Sequence, residues 1–160
     1  MSTFTHIDEK GQVRMVDVTD KKPTARTATA QGCISMSLET FSAIMDQTVK
    51  KGNVLETARI AGTMAAKQTS GLIPMCHPLS ITHVQIDFFP DAATNTIRIE
   101  AVVRILDQTG VEMEALTAVS IAALTIYDMC KAYDKHMAIS DIMLLKKTGG
   151  KSGTFERDLN

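Results

Sequence analysis

NTIRIEAVVRIL (95–106) carries Ile97, Ile99, Ala101, Val103 and Ile105 in alternation with Arg98, Glu100 and Arg104. That period of two belongs to a strand with one face on a core and the other turned away. Directly upstream, SITHVQIDFFP (80–90) gives a second strand signal, and PDAAT (90–94) joins the two as a hairpin. Working outward, ATAQGCISMSL (28–38) alternates weakly as a strand, MVDV (15–18) reads as a short one and MAISDIMLL (137–145) as the last. A short helix is predicted over about 38–47. Asn53 caps a longer one over about 54–69, with Glu56 three residues on completing a capping box and Ser70-Gly71 ending it. A third, long helix is predicted over about 111–134. The order strand, helices, hairpin, helix, strand predicts an α+β fold with helices packed on one face of an antiparallel sheet. Neither a repeat nor a linker interrupts it. Residues 1–160 read as a single domain, with about 1–12 and 148–160 expected to be flexible.

The 160 residues carry a net charge of −1, no Trp and 4% aromatics. With no dominant field and no stacking platform, a nucleic-acid partner is not expected. Cys33, Cys76 and Cys130 are an odd, widely spaced set, which is not a secreted disulfide framework. The opening MSTFTHIDEKG is polar, unlike a signal peptide, and no run of about 18 apolar residues suggests a membrane span. The expectation is a soluble cytoplasmic protein.

On the long helix, at about 100° per residue, Glu114, Thr117, Ser120, Thr125, Asp128 and Lys131 fall within an arc of about 140°. Val111, Ala115, Leu116, Val119, Ala122, Ala123, Ile126 and Met129 lie opposite. The polar arc also holds Met113, Ile121 and Leu124 and only one basic residue, so it too is expected to be covered, by another subunit. Asp128 and Lys131 are three residues apart and therefore neighbours. They read either as a surface ion pair or, if desolvated, as a proton-transfer pair in which the lysine gives up its proton more easily. Glu112 and Glu114, in the first turn, suit the helix dipole. Glu114 and Lys131 are separated by a rise of about 26 Å. A site using both requires an antiparallel partner helix, and so a two-fold dimer.

GLIPMCHPLS (71–80) is stiffened by Pro74 and Pro78, which extend the residues before them and fix Met75, Cys76 and His77. Cys76-His77 lacks a second pair at zinc spacing, so no metal is assigned, and Cys130 reads as a small buried residue. DKKPTART (20–27) is a basic loop. Lys50-Lys51 ahead of the Asn53 cap can receive phosphate or be a solvated turn. KKTGGKSG (146–153) contains GKS but is no P-loop, since the first glycine of that motif would fall at Leu145. It reads as an unstructured tail or as a mobile basic loop that closes over phosphates.

THIDEKGQVRMVDV, KGNVLETARIAG, LIPMCHPL, TGVEMEALTAVSIAALTIYDMCKA and GGKSG together closely resemble the cyclic pyranopterin monophosphate synthase family, from about residue 4 to 154. The resemblance implies a ferredoxin-like α+β fold, hexamers built as three dimers, and an active site at the dimer interface. It implies a small nucleotide-derived substrate, 3′,8-cyclo-7,8-dihydro-GTP, converted to cyclic pyranopterin monophosphate and diphosphate in molybdenum cofactor biosynthesis. No redox change and no organic cofactor are implied, and Mg²⁺ would enter only with the triphosphate. By the same implication Asp128 is the expected active-site residue, with Lys131 and Lys51 as acid–base partners. Met75, Cys76, His77, Met113 and Glu114 match substrate-contacting stretches, and Glu112, Arg26, Arg104 and Lys147 are further carry-overs.

Overall fold

The computed structural model describes residues 11–12 and 15–158. The expectation for residues 1–12 falls largely outside them. Five strands form one sheet, β1 (Thr24–Ser35), β2 (His83–Asp91), β3 (Thr96–Asp107), β4 (Ala138–Thr148) and β5 (Phe155–Glu156), in the order β2-β3-β1-β4-β5 with every neighbour antiparallel. The helices are α1 (Leu38–Met45), α2 (Val54–Lys67), α3 (Thr69–Leu72) and α4 (Glu112–Cys130).

The hairpin forms as its alternation predicts. Ile97, Ile99, Ala101 and Val103 are wholly buried under the helices, while Arg104 and Leu106 on the other face are exposed. In β1 the inward positions are Ala28, Ala30, Gly32 and Ile34, opposite Val103, Ala101, Ile99 and Ile97. Small residues there let α4 lie close. A Cβ on Gly32 would sit 3.7 Å from that of Val119. Burial of this apolar layer is the main stabilising term of the fold.

Asn53 accepts the Glu56 N–H at 3.1 Å and starts α2 as its sequence predicts. The predicted 54–69 helix divides at Gln68, and the Thr69 hydroxyl caps the chain by donating to the Ala65 and Ala66 carbonyls. Between α2 and α4 there is no spare space. A Cβ on Gly62 would lie 2.5 Å from Ile86 Cδ1 and 2.8 Å from the Ala118 carbonyl. The flank of α4 is thus covered by α2 of the same chain. On the polar arc, Ser120 and Thr125 are half-buried and donate to the Leu116 and Ile121 carbonyls of their own helix. This local bonding lets hydroxyls sit away from water.

MVDV (15–18) is not a strand. The Asp17 carboxylate accepts both the backbone N–H and the hydroxyl of Thr19, and the Lys21 N–H closes a turn onto the Val18 carbonyl. These local bonds compete with a ladder and turn the chain. At the other end, Phe155–Glu156 returns to pair with Lys146 and Lys147 of β4, a strand too short to leave a period in the sequence. Among the described residues α4 alone has the length and apolar composition of a membrane-crossing helix. Ala115, Ala118, Val119, Ala122, Ala123 and Ile126 are wholly buried in the core.

Candidate active site

Arg104 apart, the predicted residues gather towards opposite ends of α4. The N-terminal place is a cavity of about 480 Å³. Met75, Cys76 and His77 form one wall and Glu112, Met113 and Glu114 the other, with Val16, Val18, Ile73 and Leu79 closing it. His77 is oriented by its Nε2, 3.0 Å from the Val16 carbonyl. Donation there by the neutral ring leaves Nδ1 as an acceptor.

The two glutamates have separate environments. Glu112 is half-buried and lies 3.5 Å from Lys147 Nζ. Glu114 is only 3% exposed, although its place on the helix wheel predicts a polar face. Burial pushes its carboxyl up to about 7, with the Glu112 charge adding to the shift. Desolvation penalises the charged form, and no cation among the described residues pairs with Glu114 to offset it. Burial, then the Glu114 charge, also raises the Cys76 thiol. That keeps it protonated rather than nucleophilic. The Cys130 thiol is pushed up to about 11 by burial, in keeping with an inert core residue.

A second cavity of about 640 Å³ adjoins the first and is lined by Lys21, Lys22, Arg26 and Lys151, with Asp20 as its one carboxylate among the described residues and Thr24, Gly150 and Ser152 beside them. Arg26 is anchored, donating from Nε to the Asp107 carbonyl at 3.0 Å and from Nη2 to the Gln108 carbonyl at 2.8 Å. The turn at Gly149 and Gly150 presses on it. Gly149 has φ +91°, and a Cβ there would sit 2.3 Å from the Ala25 carbonyl, so only glycine fits. Lys147 also bonds the Ser152 hydroxyl, drawing the glycine segment over this cavity. Of these residues, Lys21 and Lys22 belong to a segment that reads from sequence only as a basic loop, and Lys151 to one that reads as an unstructured tail or as a loop closing over phosphates. Their convergence depends on the turn at 18–21 meeting the β4–β5 connection.

At the C-terminal end of α4, Asp128 meets Lys131 Nζ at 2.8 Å and Lys51 Nζ at 3.4 Å, and Lys51 also donates to the Asp128 carbonyl at 2.8 Å. The Lys50 N–H contacts the Tyr133 hydroxyl at 3.5 Å, beside this cluster. The Lys131 hydrogen bond, seconded by charge attraction, holds the Asp128 carboxyl below its usual range. The same bond holds the Lys131 ammonium above its usual value. This is opposite to the easier deprotonation that a desolvated lysine would show, because within one chain the pair is solvated. Lys51, Asp128, Lys131 and Arg104 line neither cavity. Arg104 stands on the sheet face away from the helices, between Thr27 and His83. Among the described residues no three His, Cys, Asp or Glu side chains are grouped as metal ligands.

A half-apolar cavity holding acidic groups beside a cationic one, on an α+β sheet, is the build of an enzyme that handles a phosphorylated heterocycle. The comparisons agree with that class. Residues 15–150 match the model of the MoaC family, and the chain belongs to that family. It is 65% identical over 155 residues to the cyclic pyranopterin monophosphate synthase of Desulfatibacillum aliphaticivorans, covering 97% of this chain and 98% of the relative. It is 65% identical over 158 residues to the synthase of that name from Desulforapulum autotrophicum, covering 99% and 97%. With the Chloroflexus aurantiacus synthase the identity is 59% over 154 residues, covering 96% and 94%.

Proposed function

We propose that this chain is a cyclic pyranopterin monophosphate synthase, a lyase of molybdenum cofactor biosynthesis that converts 3′,8-cyclo-7,8-dihydro-GTP to cyclic pyranopterin monophosphate and diphosphate. The observation that carries this reading is full-length identity to synthases of that name, and the paired cavities fit the two halves of such a substrate.

The guanine-derived ring presents N–H and amino donors, which suit Glu112 and Glu114 beside the Met75-Cys76-His77 wall. The triphosphate suits Arg26, Lys147 and the lysines of the second cavity. Ring opening and reclosure require protons to move at ring nitrogens and at a ribose carbon. Asp128, Lys131 and Lys51, with His77, are the donors and acceptors for that work. Cyclisation then forms a bond from a substrate hydroxyl oxygen to the α-phosphorus. The bond to the bridging oxygen breaks with its electron pair leaving on diphosphate, and the hydroxyl proton passes to a base. No electrons are exchanged, so no organic cofactor is called for, and Mg²⁺ enters only with the triphosphate.

The cavity and the Asp128 cluster lie about 26 Å apart along one helix. The reading therefore places the complete site between two chains, with the cavity end of α4 from one facing the Asp128 end of α4 from the other. A dimer follows on this reading, and the hexamer of three such dimers in the cytoplasm is what the family resemblance implies beyond it. Incubating the purified chain with the cyclised GTP and assaying diphosphate tests it. No release above a chain-free control sinks the proposal. For Glu114, the Glu114→Gln variant is expected to lose discrimination of the base. Loss of phosphate affinity alone would overturn the division of labour between the cavities.

A further inference from the structure

Among the described residues Lys21 alone lines both cavities, the one that fits the ring and the one that fits the phosphates. Its neighbour Lys22 lines the second cavity alone. Lys21 is held by backbone rather than by a carboxylate. Its N–H donates to the Val18 carbonyl at 3.0 Å, and the turn it closes is locked by the two Thr19 bonds to Asp17. The side chain is half-buried, and among the described residues no Asp or Glu pairs with it. Asp20 lines the second cavity and Glu112 and Glu114 the first, but none of them lies within ion-pair distance of the Lys21 ammonium, which is left open to an anion, and partial desolvation strengthens its pull on one.

We propose that Lys21 is a catalytic residue for the cyclisation step, bound to the α-phosphate at the junction of ring and triphosphate. The inference rests on the reaction proposed above. A molecule with its ring in the first cavity and its β- and γ-phosphates in the second must pass its α-phosphate through the boundary that Lys21 occupies. There the ammonium neutralises the α-phosphoryl oxygens as the incoming hydroxyl oxygen bonds to phosphorus and diphosphate departs. Attraction at the atom where charge reorganises raises turnover. Attraction to the γ-phosphate, one phosphorus further from the bond that breaks, mainly holds the substrate. Lys22, which lines the second cavity and not the first, belongs to the second kind.

The test compares Lys21→Met, Lys21→Arg and Lys22→Met in the full chain, following diphosphate release from the cyclised GTP. Lys21→Met is expected to lower kcat by about 10²-fold with KM changed by no more than about threefold. Lys21→Arg, which keeps the charge, recovers at least tenfold of that loss. Lys22→Met raises KM and leaves kcat within about twofold. Equal effects of the two lysines, or a KM change alone at Lys21, would overturn the assignment. A measurement on the unmodified chain removes any dependence on folding of the variants. Acylation of Lys21 by a lysine-selective reagent, read by mass spectrometry, is expected to be blocked by the substrate but not by guanosine. Labelling undiminished by the substrate overturns the proposal. If the unmodified chain releases no diphosphate at all, the proposed reaction itself fails and this role falls with it. An active chain with an indifferent Lys21 defeats the role alone.

Discussion

At its N-terminal end α4 buries Glu114 to 3% exposure beside a walled cavity, whereas at its C-terminal end it leaves Asp128 61% and Lys131 55% exposed in an ion pair. Desolvation dominates at the first end and raises an acid, while a facing charge dominates at the second and lowers one. One helix of 19 residues thus carries a walled cavity at one end and an open ion-pair cluster at the other. Proton transfer gains most from fixed charges where water is excluded. The contrast therefore supports the proposal that a second chain supplies the missing cover.

The largest effect that separates the two ends is on turnover. Lys131→Ala or Asp128→Asn is expected to reduce kcat by about 10²- to 10⁴-fold, with assembly and thermal midpoint unchanged. If stability falls instead while turnover persists, the cluster is structural. Mixing Glu114→Ala chains with Lys131→Ala chains, after dissociation and reassembly, sharpens the point. Should each site draw its two ends from different chains, half the dimers are mixed and one of their two sites is intact, giving about a quarter of wild-type activity. A site contained in one chain gives none.

The next effect is on stability and concerns the buried end alone. The Glu114 carboxyl is raised in the folded state, from 4.5 to about 7. Below about pH 4 both states are protonated and the shift has no consequence. As pH climbs from about 4.5 to about 7 the folded chain loses stability relative to one without this acid, by on the order of 3 kcal/mol in all. Glu114→Gln is accordingly expected to match wild type in urea unfolding near pH 4 and to exceed it by about that amount at pH 8. An equal difference at both pH values would show that burial does not govern this group.

Gly62→Ala falls between the two ends and is expected to disturb both without preference. The new Cβ meets Ile86 and the Ala118 carbonyl, and chemical denaturation is expected to show a loss of about 1–3 kcal/mol. A neutral result would mean that α2 slides freely on α4. The smallest effect is on affinity. Because the Glu114 carboxylate is the form that accepts N–H donors, guanosine binding is expected to tighten by up to about tenfold from pH 6 to pH 8. Glu114→Gln flattens that dependence in calorimetry. A slope that survives the substitution assigns the titration to another group.

The sequence by itself determined the hairpin, through Ile97 to Ile105, and the start of α2, through Asn53. It also determined the antiparallel α+β class, the grouping of Met75, Cys76 and His77 on one loop, and the contact of Asp128 with Lys131. Each of these depends on residues close in the chain, where period, capping and spacing act directly. The tertiary structure alone decided that Glu114 is buried, that MVDV turns away as cavity wall, and that Lys21 stands at a boundary between cavities. It also decided that β5 pairs with β4. A helix wheel gives the direction of a side chain but not its neighbour. For Glu114 the neighbour is a loop some forty residues upstream, and for Lys21 a turn more than a hundred residues downstream. Charge, burial and proton affinity at those positions are set by whichever segment folds against them, and distance along the chain leaves no periodic trace of that choice.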